Sequence, residues 1–230
     1  MCPALIIFDC DGVLIDSEVI SARALIAELA NHGVDVDRAY VARHFLGRSY
    51  PLVRTVVRER LGVHLPDAFE EAYRSRLLAA YQDELQVMAG AAETVEALRV
   101  PYCVATSSSP PRLARSLEIT GLAPLFAGRG FTASEVARGK PAPDLFLHAA
   151  ARMGTEPARC TVIEDSPIGL EAGIAAGMQV WHFTGGSHLA GAELDLPDHV
   201  RPARSFASFM EIRAAVPELF DTHAGYAVTA

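Results

Sequence analysis

The chain has 230 residues, a net charge of -8 and a composition that is half hydrophobic. This excludes a disordered chain and fits one or two globular domains with a sizeable core. The acidic balance argues against nucleic acid or an anionic membrane as the main partner, and no apolar run approaches the roughly 20 residues that span a bilayer.

The N-terminal stretch MCPALIIFDCDG has no basic segment before its apolar run, so no signal peptide is expected. The four cysteines are scattered and form no CxxC, which suits a reduced, cytoplasmic protein. Leu5-Ile6-Ile7-Phe8 reads as a short buried strand of a parallel sheet. From Ser17 to about Asn31 the apolar period becomes helical. Helices are also expected near 50–61 and 67–83, so 16–85 reads as all-helical. After Gly90 the texture alternates. A helix near 91–98 precedes a strand at Tyr102-Cys103-Val104-Ala105, and a helix near 110–119 follows. A weaker strand is placed at Leu125-Phe126-Ala127. Then come a helix near 143–153, a strand at 161–163, a helix near 168–176 and a strand at 180–183. The tail, about 216–230, carries no signal. Alternating strands and helices make a doubly wound parallel sheet. The expected division is an α/β core of 1–15 and 86–230, with a helical insert of 16–85 after the first strand.

Open α/β sheets bind ligands at the carboxyl ends of their strands. The first strand ends in Asp9-Cys10-Asp11-Gly12 and the next core strand in Thr106-Ser107-Ser108. Lys140 precedes a helix, and a later strand ends in Glu164-Asp165-Ser166. Taken singly, each group has an ordinary explanation as a turn, a helix cap or a surface charge. At successive strand ends they converge on phosphate and metal chemistry.

Along extended chain, Asp9 and Asp11 point to one side. One carboxylate can attack phosphorus while the other moves protons. An anion approaching an anion needs a hard cation, and Mg²⁺ with oxygen ligands fits; Glu164 and Asp165 add such oxygens. Gly12 permits a sharp turn and a close backbone approach to the anion. Thr106 and Ser107 can donate to the transferring oxygens. Lys140 is the only lysine, the other 19 basic residues being arginine. A compact ammonium suits a phosphoryl group between carboxylates better than a planar fork does.

FDCDGVLIDSE, VATSSS, GKPAPD and VIEDSPIGLEAG resemble, in order and spacing, the four motifs of the haloacid dehalogenase superfamily. The resemblance implies Asp9 as nucleophile and Asp11 as general acid/base. It implies Mg²⁺ on Asp9, Asp165 and the Asp11 backbone carbonyl, with Glu164 assisting directly or through water. Thr106 and Lys140 would bind the phosphoryl group, with Gly12, Ser107 and Ser108 beside them. The helical insert resembles the small cap of the family.

The sequence is most similar to the β-phosphoglucomutase-like group, and DSEVISARA resembles its 6-phosphogluconate phosphatases. Dehalogenases lack a carboxylate at the position of Asp11. Phosphonoacetaldehyde hydrolases need a cap lysine, and this insert has none. The mutases carry a histidine where this chain has Ser21. The expectation is a monomeric, Mg²⁺-dependent phosphatase of small phosphorylated metabolites, such as sugar or sugar-acid phosphates. A phosphosugar mutase and a non-catalytic phosphate-binding regulator are the alternatives. The stretch His44-Phe45-Leu46-Gly47-Arg48-Ser49 resembles the specificity loop of the family, with Arg48 facing the leaving group. Arg43, Arg74 and Arg76 are weaker candidates and read as solvated. His32, His44, His64, His148, His182 and His188 show no metal spacing and read as structural or exposed.

Overall fold

The computed structural model describes residues 2–45, 47–191 and 196–221. In chain order its strands are β1 (Leu5–Phe8), β2 (Tyr102–Thr106), β3 (Gly130–Thr132), β4 (Cys160–Glu164), β5 (Gln179–Phe183) and β6 (Arg204–Phe206). The α-helices are α1 (Glu18–Ala30), α2 (Arg38–His44), α3 (Tyr50–Leu61), α4 (Phe69–Glu84), α5 (Ala91–Glu96), α6 (Pro110–Ile119), α7 (Asp144–Arg152), α8 (Pro167–Ala175) and α9 (Phe209–Ala215).

All strand pairs are parallel, in the order β3-β2-β1-β4-β5-β6. Side chains alternate between the two faces of the sheet. Leu5 and Ile7 join one buried cluster with Phe146, Ala149 and Leu170. Ile6 and Phe8 join the other with Trp181, Phe209 and Leu219. Both faces are therefore covered, which is why β1 reads as an unbroken apolar run. The strand order reverses direction between β1 and β4, so a crevice opens at their carboxyl ends.

Between β1 and β2 the chain runs through α1–α4, which enclose a third cluster including Leu25, Leu29, Val53, Val57 and Phe69. The segments entering and leaving these helices pair with each other. Met88 N–H donates to the Leu14 carbonyl at 2.9 Å, and Asp16 N–H to the Gln86 carbonyl at 3.0 Å.

The strand expected at 125–127 is a turn, and β3 lies at 130–132 instead. Phe126 is buried as a plug, edge-on to Phe8 and Tyr102. Three apolar residues cannot separate a strand from a buried loop. The tail was expected to be uninformative, but Leu219 and Phe220 are buried, and Asp221 N–H bonds to the Ala97 carbonyl. Residues 222–230 lie outside the described ones. Among the described residues, no helix is long and apolar enough to cross a membrane.

Candidate active site

The β1 ladder carries straight into the site, because Asp9 N–H donates to the Ile163 carbonyl at 2.9 Å. Asp9 is thereby fixed at the end of β1. Its Oδ1 accepts from Lys140 Nζ at 2.5 Å, while Oδ2 has no hydrogen-bond partner among the described residues and faces the cavity. Lys140 also donates to Glu164 at 2.8 Å and to the Ala105 carbonyl at 3.2 Å. Its side chain is 1% exposed, and its ammonium is surrounded by these three oxygens and the Phe146 ring, whose centre is 4.8 Å away. That pairing raises its proton affinity against the penalty of burial.

The second Glu164 oxygen accepts from Ser166 N–H and Oγ, and Ser166 caps α8 through Gly169 N–H. Gly169 is required here. A Cβ would lie 1.7 Å from Glu164 Oε1. Gly12 is constrained in the same way. Its φ is +80°, and a Cβ would lie 2.0 Å from Asp165 Oδ2.

Asp11 is held from several sides. Ser17 and Arg112 donate to Oδ1 at 2.7 and 2.6 Å, and Ser108 to Oδ2 at 2.6 Å. Thr106 lies 3.4 Å from Oδ2 and orders the loop by accepting from Ser108 N–H. Burial pushes the Asp11 carboxyl up, but Arg112 and the two serines outweigh it and hold it below its ordinary value. Asp9 behaves oppositely. Burial drives it well up, and Glu164, Asp165 and Asp11 add to the rise against Lys140. Burial and Glu164 likewise raise Asp165.

Asp9, Glu164 and Asp165 bring one oxygen each within 4.8 Å of one another. Asp165 Oδ2 is buried and accepts no hydrogen bond. Asp9, Asp11, Glu164, Asp165 and Glu18 share the site with Lys140 and Arg112, and burial together with Asp11 and Asp165 pushes the Glu18 carboxyl up to about 8. An orphaned carboxylate oxygen and this excess of negative charge fit a hard divalent cation.

A cavity of about 720 Å³ opens above these groups. The strand ends supply Asp9, Asp11, Thr106, Ser107 and Ser108, the loop before α7 supplies Lys140, and the segment between β1 and β2 supplies Arg48 from the α2–α3 loop, Tyr50 from α3 and Tyr73 from α4. Arg48 is half-buried and has no ion pair among the described residues. Arg74 also lines the cavity, yet it is paired with Glu70 and Glu71. Arg76 is paired with Glu28 at 3.1 Å, and Arg43 is exposed. Leu46 lies outside the described residues.

Among the residues at the site that sequence reasoning did not place there, Arg112 and His188 lie against the carboxylates themselves. Arg112 looked like one arginine among 19. It stands in the first turn of α6, behind Pro110 and Pro111, where the helix dipole disfavours a cation. That misplacement was the available signal. His188, read as structural or exposed, has a side chain only 8% exposed, with Nε2 2.9 Å from Asp165 Oδ2 in a poor hydrogen-bond orientation. Gly186 brings it beneath Gly12, since a Cβ there would touch both.

This arrangement can bind a phosphoryl group beside a carboxylate nucleophile. The family model for haloacid dehalogenase-like hydrolases matches residues 3–177. The chain belongs to the haloacid dehalogenase-like hydrolase family. Its curated relatives include a 6-phosphogluconate phosphatase of Escherichia coli (strain K12), 32% identical over 80% of this chain and 83% of that protein. A hexitol phosphatase A from the same organism is 32% identical over 76% of this chain and 80% of its own. Among solved structures, a hydrolase of the family from Deinococcus radiodurans R1, with bound phosphate and sodium, is 35% identical. It covers 94% of this chain and 96% of its own, with a TM-score of 0.69. This family member is thus a hydrolase whose curated relatives include several phosphatases.

Proposed function

We propose that the chain is a Mg²⁺-dependent phosphoric monoester hydrolase of small sugar or sugar-acid phosphates, working through a phosphoaspartate on Asp9. The observation that carries this is the free Oδ2 of Asp9, facing the cavity beside a fixed Asp11. Lys140 on Oδ1 leaves Oδ2 to attack phosphorus. The P–O bond to the leaving group breaks, and the leaving oxygen takes a proton from Asp11. A water then attacks the phosphorus, gives a proton to Asp11 and releases Asp9. The Arg112 pair favours the base form needed in the second half. Arrival of an anionic substrate beside Asp11 favours the acid form needed in the first.

Asp9, Asp165 and the Asp11 backbone carbonyl would hold Mg²⁺, with Glu164 assisting. When bound, the ion would offset the repulsion between carboxylate and phosphate. Thr106, Ser107, Ser108, Gly12 and Lys140 would cradle the phosphoryl oxygens. In this reading α1–α4 act as a cap of 16–85 over a core of 1–15 and 86–230, since the cavity takes walls from both. One copy supplies every group, which supports a working monomer. Buried free Cys10, Cys103 and Cys160 suit a reducing cytoplasm.

Arg48, which has no ion pair among the described residues, suits a leaving group with a second anionic or hydroxylated end. Arg48→Ala is expected to lower kcat/KM about tenfold or more on 6-phosphogluconate, and less on neutral hexose phosphates. Steady-state kinetics on both substrates checks this, and an unchanged kcat/KM on both would remove Arg48 from recognition. Mutase chemistry has little support, because Ser21 is hydrogen-bonded within the protein to Tyr81 and Arg112.

Phosphate release from hexose phosphates, 6-phosphogluconate, phosphoglycolate and nucleotides tests the whole reading. Release with Mg²⁺ that stops in EDTA is expected. No release from any ester by folded protein would overturn it.

A further inference from the structure

Arg112 uses a single nitrogen for three acceptors. Its Nη2 lies 2.6 Å from Asp11 Oδ1, 3.0 Å from Ser21 Oγ and 2.9 Å from Tyr81 Oη. Ser21 and Tyr81 are themselves 2.9 Å apart. The remaining donors are unused, since Nε is buried without a partner and Nη1 makes no hydrogen bond among the described residues. A guanidinium placed only to neutralise Asp11 would grip it through two parallel N–H groups. This one forgoes that grip to reach two hydroxyls.

Those hydroxyls belong to other elements. Ser21 is on α1 and Tyr81 on α4, both inserted between β1 and β2, whereas Arg112 is on α6 of the sheet layer. The side chain of Arg112 is only 16% exposed, and its guanidinium also stands 5.7 Å from the centre of the Tyr81 ring. Ser17, just before α1, holds the same Asp11 oxygen.

We propose that Arg112 is a positioning residue that ties the orientation of Asp11 to the seating of α1 and α4 on the sheet layer. With the helices seated, Ser21 and Tyr81 fix the guanidinium at a place where it can hold Asp11 by one nitrogen. If the helices shift, the guanidinium loses both hydroxyls and is free to turn, and Asp11 loses its fixed direction. Proton transfer is then confined to the seated state. This rests on Asp11 as the general acid/base. It adds a residue outside the four motifs and a route by which the insert controls chemistry.

The test compares leaving groups. An alkyl phosphate needs a proton on the departing oxygen, whereas 4-nitrophenyl phosphate leaves as a stable phenolate and does not. kcat/KM reports the step that forms the covalent intermediate. Arg112→Lys keeps the charge but not the geometry. It is expected to lower kcat/KM on the best alkyl substrate about 10- to 100-fold. On 4-nitrophenyl phosphate the change should stay within about threefold. Tyr81→Phe should show the same selectivity in weaker form, and far-UV circular dichroism confirms that each variant is folded.

Equal losses on both substrates would make Arg112 merely structural and overturn the proposal. A Tyr81→Phe variant indistinguishable from wild type on both would overturn the tie to the insert. Asp11→Asn, run in parallel, separates the two levels. Selective loss there with unselective loss in Arg112→Lys defeats only the Arg112 proposal. Absence of selective loss in Asp11→Asn defeats the acid/base reading and the proposal with it.

Discussion

Replacing Asp9 by Asn is expected to lower kcat by more than about 10⁴-fold, which is the scale seen when a covalent nucleophile is removed. The amide is the same size as the carboxylate, and its oxygen can still accept from Lys140. The ladder bond from Asp9 N–H to Ile163 is untouched. Asp9 is also a carboxylate whose proton affinity burial has already raised. Making it neutral therefore removes a cost, and the variant should melt at or above the wild-type temperature. The measurement is phosphate release against a thermal melt of the same sample. A variant that is stable and still active would remove Asp9 from the chemistry.

The second large effect concerns stability. Lys140→Met should lower the melting temperature by about 10 °C, because breaking a buried ion pair costs about 3–5 kcal/mol. Lys140 is almost fully buried and balances both Asp9 and Glu164. Removing it leaves two like charges facing each other in a buried site. The thioether cannot replace any of its three hydrogen bonds, although it still fills the space over the Phe146 ring. Lys140→Arg should not restore either stability or turnover. A planar fork cannot converge on Asp9, Glu164 and the Ala105 carbonyl from one point. A second change, Glu164→Gln in the Lys140→Met background, removes one stranded charge and should recover part of the loss. Circular dichroism melts of the three variants check this. A Lys140→Met protein as stable as wild type would contradict the role of the ammonium as the site's balancing charge.

The lysine also explains why so much of the site was legible in the sequence. A single lysine in an arginine-rich chain marks a position where geometry selects the ammonium. Asp9, Asp11, Thr106, Glu164 and Asp165 were legible for a related reason. Each follows a short apolar run, and a parallel sheet places the residues after such runs together. Helices with a strong apolar period or a sharp stop were legible too, as with α3 and its left-handed Gly62.

What escaped has equally physical causes. β6 has one buried side chain, Phe206, in three residues, so no alternation could show it. α2 is a seven-residue helix with a single buried side chain, Val41, held at its start by Asp37, which accepts from Tyr40 N–H. Such a capped turn offers too few apolar positions to reveal a period. Arg112 escaped because its three acceptors come from positions 11, 21 and 81, and no local pattern encodes that meeting. His188 escaped because a Gly-Gly pair can open a loop or return it to a site, and only tertiary contacts decide which.

A rapid acid quench tests the covalent phosphoryl group on Asp9 most directly. Enzyme mixed with its best substrate and Mg²⁺ is quenched within one turnover, digested and read by mass spectrometry. A phosphoryl mass is expected on the peptide carrying Asp9 and absent from the Asp9→Asn variant. Phosphate released with the label on another residue, or undiminished release by Asp9→Asn, would contradict a phosphoaspartate on Asp9.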